Sequence, residues 1–176
     1  MSGTPEFSRP VPLARIGFEP YRQEIAATEA ERAALAGRFD LVSLDRLEAV
    51  VELVRKGDET ILLRADFEAA FEQSCIVTLD PIAGAVAERF ELLYAPAAAE
   101  KAAAALVGDE VAFEPLDGDP IDIGEAVAQE FSLALPAFPR SPEAAVEPEA
   151  ALPEEASPFA ALSRLLERSD RDNGKS

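Results

Sequence analysis

Residues 61 to 72 read ILLRADFEAAFE, and the alternation of their apolar and charged members decides the fold. Ile61, Leu63, Ala65, Phe67, Ala69 and Phe71 fall on one side of an extended chain, and Leu62, Arg64, Asp66, Glu68, Ala70 and Glu72 on the other. A period of two kept up over this length predicts a β-strand with one buried and one wet face; a helix would repeat every three to four residues. Upstream, LVSLDRLEAVVELVRKGDE (41–59) ends in the polar, turn-prone KGDE, so residues 41–75 predict two long strands joined there. The first is less decisive, because RLEAVVELV also suits a turn or two of helix.

Further upstream, TEAERAALAG (28–37) places Thr28 and Glu31 at capping-box spacing, follows them with good helix formers, and puts Gly37 where a helix stop is expected. FSRPVPLARIGF (7–18) is extended, and Pro10 and Pro12 suit an edge strand that begins the sheet. Downstream, Asp80-Pro81 makes a turn. GAVAERFELLYAP (84–96) then gives another strand, with Val86, Phe90, Leu92 and Tyr94 on it and Pro96 ending it. PAAAEKAAAALVGD (96–109) suits a helix by propensity but has few anchoring residues and is treated as a linker, and VAFEP (111–115) reads as a last short strand. DPIDIGEAVAQEFSLALPAFP (119–139) predicts a helix started by Asp122, carrying Ile123, Val127, Phe131 and Leu135 at helical spacing and stopped by Pro136. The fold class is α+β: an antiparallel sheet, open or closed into a barrel, with a few covering helices.

The expected organisation is a domain over 1–136, a disordered Pro/Ala/Glu tether over 137–157 and a short amphipathic helix over 158–168. In that helix Ser157 is an N-cap, Pro158 takes the first position, and Phe159, Leu162, Leu165 and Leu166 share a side. It either folds back on the domain or docks in a partner's groove.

Composition narrows the function. The chain has 176 residues, enough for one domain with a core; Trp is absent and aromatics are only 7%, so Ala, Leu and Val must fill that core. Lys and Arg number 16 against 34 Asp and Glu, and the net charge of -18 repels phosphates, which disfavours broad binding to nucleic acid or anionic membrane. A basic protein partner fits the charge better; the plain alternative is that acidity only keeps an Ala-rich chain soluble. The sequence contains no His, which removes Ser-His and Cys-His activation and the commonest zinc ligand. No Asp/Glu spacing fits an EF-hand or Mg site and no Gly-rich phosphate loop occurs, so neither metal nor cofactor is expected. Catalysis would need carboxylates converging in space. A lone cysteine forms no internal disulfide, and the N-terminus carries neither a signal-peptide pattern nor a span, so a cytoplasmic location is expected. Cys75 lies among Glu72, Gln73, Ser74 and apolar residues with no cationic neighbour, and reads as inert and packed.

EFSRPV at the start, CIVTLDPI (75–82) after the alternating strand, IDIGEAVAQEFSLALPAFP (121–139) and SPFAALSRLL (157–166) occur in the order seen in the YceD family. The chain resembles that bacterial and plastid family, which is implicated in accumulation or processing of large-subunit ribosomal RNA. Much of the family has a Cys-x-x-Cys after the alternating strand; here the matching positions are Cys75 and Thr78, and a hydroxyl does not replace a thiolate. Asp80 and Pro81 match the following turn, and Asp122, Ile123, Leu133, Leu135, Pro136 and Pro139 the late signature, with architectural or partner-binding roles. The resemblance and the charge together imply a non-catalytic factor in ribosome biogenesis that contacts a basic ribosomal or RNA-processing protein, or a preribosomal particle. The alternative is direct RNA binding through Arg9, Arg15, Arg22, Arg32 and Arg38.

Overall fold

The computed structural model describes residues 5–107, 111–116, 118 and 120–144. In chain order the elements are β1 (Pro10–Val11), a 3-10 turn at Leu13–Arg15, β2 (Tyr21–Ala26), α1 (Glu29–Arg38), β3 (Ser43–Arg55), β4 (Ile61–Ser74) and β5 (Pro81–Ala95). A second 3-10 turn at Ala97–Ala99 leads to α2 (Glu100–Val107), β6 (Ala112–Pro115), β7 (Ile121–Asp122) and α3 (Ile123–Ala134). The fold is α+β. Five strands pair in the order β2-β3-β4-β5-β6, antiparallel except for the parallel β5–β6 pair, and β1 pairs with β7 in a separate ribbon. The sheet stays open, so the barrel alternative is set aside: among the described residues β6 pairs only with Leu92–Ala95 of β5, and no strand extends the sheet round to β2.

The alternation in β4 holds. Ile61, Leu63, Ala65, Phe67, Ala69 and Phe71 are buried, facing Leu53, Val51 and Ala49 of β3 across the ladder. β3, ambiguous in sequence, is a strand with a bulge between Leu44 and Arg46 that resets the pleat, so Leu44 and Leu47 both reach the core. Onto this face pack Leu35 of α1, Ile123, Val127 and Phe131 of α3, and Phe7. The Phe131 ring meets Phe71 and Phe39 edge-on, with centroids 5.7 and 5.8 Å apart.

Four expectations are corrected. The segment with Pro10 and Pro12 does not begin the main sheet; it lacks the N–H groups for a ladder, and only Pro10 and Val11 pair, with Asp122 and Ile121. The strand that does begin the sheet, β2, was not foreseen. Gly37 is an ordinary helical residue; α1 ends at Arg38 with Phe39 as its C-cap, after which Asp40 takes a left-handed φ of 54° and the Leu41 N–H donates to Ala36 O at 2.9 Å. That is a Schellman-type end with Asp in the usual glycine place. The Ala-rich stretch is no linker: α2 packs Ala103 against Leu62, Leu93 and Ala95, covering the one apolar corner of the sheet's other face.

Candidate functional site

At one end of the sheet two of the four segments that carry the family resemblance meet. The turn after β4 is closed by Leu79 N–H donating to Cys75 O at 2.9 Å and Cys75 N–H donating to Asp80 O at 2.8 Å. The segment after α3 is clipped to it: Ile76 N–H donates to Pro139 O at 2.9 Å, and Gln73 Nε2 to Pro136 O at 3.3 Å. Pro81 opens β5 opposite Ser74. Leu79 is held at a φ of 64°, a conformation that costs a branched-chain side residue about 1–2 kcal/mol. Around this end Val42, Ile76, Leu79, Leu133 and Phe138 are 51–79% exposed.

Cys75 is buried beneath the turn, and its Sγ accepts N–H groups from Val77 at 3.4 Å, Thr78 at 3.5 Å and Ser141 at 3.4 Å. The Ser141 N–H, then the Thr78 hydroxyl and N–H, pull its pKa down to about 6 against the opposing effect of burial. Apart from the Thr78 hydroxyl these donors are backbone N–H groups, and that of Ser141 comes from 66 residues along the chain, so the residues flanking Cys75 in sequence do not reveal them. Thr78, at the position of the family's second cysteine, also accepts from Asp80 N–H at 3.4 Å through its Oγ1.

Asp122 acts at the other end of α3. Its Oδ1 accepts N–H groups from Gly124 at 3.1 Å, Glu125 at 3.2 Å and Arg9 at 2.7 Å, and its Oδ2 accepts the Ser8 hydroxyl. It caps α3 and ties the N-terminal segment to it.

The five arginines have separate partners. Arg9 forms a two-pronged pair with Glu31 at 2.6 and 2.9 Å and lies over the Phe7 ring. Arg38 is held by Glu125 and Glu6, and Arg32 donates to Ala27 O at 2.8 Å. Arg15 lies over Tyr21, and Arg22 stands on β2 opposite Glu52. No recorded contact among the described residues joins two of the five.

The solvent face of the sheet is a charged grid set by the register. One row runs Arg22, Glu52, Arg64, Glu91; the next Glu24, Val50, Asp66, Arg89; a third Ala26, Glu48, Glu68, Ala87. Arg64–Glu91 and Arg89–Asp66 pair at 2.7 Å and Arg46–Glu68 at 2.9 Å. Glu24 and Glu48 join no ion pair among the described residues and border a depression of about 360 Å³ with Ala26, Val50, Asp66 and Glu68. The wet half of the β4 alternation hints at this face, but Glu24 lies on the unforeseen β2, and Glu48 on β3 meets it only through the β2–β3 pairing.

Residues 63–166, more than half of the chain, match the family described as large ribosomal RNA subunit accumulation protein YceD. The chain belongs to the YceD family. The YceD match begins inside β4 and takes in the Cys75 turn, β5, α3 and the segment after it, while Phe39–Val42 at the same end lie before it. No curated protein and no solved structure matches the chain. Its single cysteine departs from the family's Cys-x-x-Cys at Thr78. Among the described residues no cluster of acidic or cysteine side chains is arranged to hold a metal, and no helix is long and apolar enough to cross a membrane. Phe159, Leu162, Leu165 and Leu166, and all but the first residues of the 137–157 stretch, lie outside the described residues.

Proposed function

We propose that this YceD-family chain is a non-catalytic cytoplasmic factor in large-subunit ribosomal RNA accumulation, and that its acidic surface binds a basic ribosomal or RNA-processing protein. The family supplies the pathway. The observation that carries the rest is the sheet face bearing Glu24, Glu48, Asp66 and Glu68, where Glu24 and Glu48 join no ion pair among the described residues. Carboxylates so placed attract Lys and Arg from a partner and steer its approach. Direct RNA binding has less support, because Arg9 and Arg38 are engaged by Glu31, Glu125 and Glu6.

The test is affinity capture of the full-length chain from cell extract at low and moderate salt, with and without nuclease. The expected result is capture of a basic ribosomal or RNA-processing protein that survives nuclease, weakens with salt and is lost with Glu24→Lys/Glu48→Lys. Capture of large-subunit RNA precursor that nuclease abolishes would overturn the reading and turn attention to the arginines.

A further inference from the structure

We infer that the clipped end of the sheet is a docking groove for a basic protein segment bearing large apolar side chains, and so anchors the partner of the proposed function; the inference rests on that reading. The groove lies between the end of α1, the start of β3, the Cys75 turn and the segment after α3. Phe39, Val42, Ile76 and Pro139 form its apolar walls and Asp40, Gln73 and Ser74 its polar ones, and it opens to solvent with a volume of about 320 Å³.

Three features point to a protein segment. Val42 and Ile76, both on the groove wall, are each 51% exposed, whereas Phe7, Leu35 and Phe131 elsewhere are fully withdrawn from water. The walls are fixed before anything binds, by Val42 N–H to Glu72 O at 2.8 Å and Ile76 N–H to Pro139 O at 2.9 Å, so little ordering entropy is lost on docking. The charge around the groove is negative: Asp40 and Asp80 are exposed and Glu72 half-buried, while of the two cations beside the lining, Arg38 and Arg140, Arg38 is already held by Glu6 and Glu125. Lys or Arg beside apolar anchors complements that rim, while phosphate is repelled, and a second copy would bring the same carboxylates face to face.

The probe is a set of overlapping synthetic peptides covering the basic extensions of large-subunit ribosomal proteins, titrated against the full chain by fluorescence anisotropy. Peptides combining Lys or Arg with Phe, Leu or Trp are expected to bind. Ile76→Glu and Val42→Glu should each weaken them about tenfold or more with Tm unchanged, while Ile76→Leu keeps them. Binding that falls with Glu24→Lys/Glu48→Lys but ignores Ile76→Glu would overturn this groove and leave the proposed function standing. Failure of every cationic peptide would sink the proposed function itself. The groove proposal also fails if single-stranded RNA displaces the peptides, if Ile76→Glu breaks up a self-association seen in sedimentation, or if Leu162→Glu/Leu165→Glu raises peptide affinity, which would make the chain's own segment the occupant.

Discussion

Gly84 faces Phe71 across the β4–β5 ladder, and a Cβ added there would come within 2.6 Å of the ring. Gly84→Ala is expected to cost ~1–3 kcal/mol, read as a lower urea midpoint at unchanged slope. Gly37 is the counterexample: it lies exposed in α1 with nothing within 4 Å of the added carbon, and Gly37→Ala should gain ~0.5–1 kcal/mol. Glu31 sets an acid limit. The Arg9 guanidinium, helped by the Thr28 N–H and hydroxyl, lowers its pKa from 4.5 to about 2. The folded form therefore prefers the ionised carboxylate, and this contribution is complete above pH 4.5 and lost as pH falls from there toward about 2. The stability difference between wild type and Glu31→Gln should shrink over that window; a constant difference would show that the pair does not act this way.

At the scale of elements, α2 is held by a small contact, Ala103 seated on Leu62, Leu93 and Ala95. Ala103→Glu would place a charge against these side chains. The expected result is faster amide exchange in α2 and β6, with the β3–β4 ladder still protected. How far elements were legible depended on what their residues met. The β4 alternation and the Thr28–Glu31 capping box carried their own evidence, because each is decided by neighbours a few residues away. α2 was hidden because an alanine helix has no stripe of its own; its partner signal, Leu62 and Leu93 on the otherwise wet face, lies on other elements. β2 was missed because Tyr21–Ala26 buries only Ile25 and presents its other members to water or to the rim. At the site, Cys75 and the signature prolines were visible as residues, yet the donors around the sulfur and the apolar groove come from segments joined only by folding.

For the whole molecule, a net charge of -18 means that the compact state repels itself. Added NaCl should raise Tm and level off once the Debye length falls to about 10 Å, a trend opposite to the expected salt weakening of partner binding. A Tm indifferent to salt would mean that the paired grid on the sheet already neutralises the surface. The tie between Asp122 and Ser8–Arg9 spans 114 residues. During synthesis, β3, β4 and β5 emerge in sequence and can pair as hairpins, but Phe7 has no lid until α3 has left the ribosome. At about 5–20 residues per second, the first segment waits several seconds for the last. Completion of the core is thus timed by the emergence of α3, and a ribosome stalled before Asp122 would hold a sheet with its apolar face uncovered.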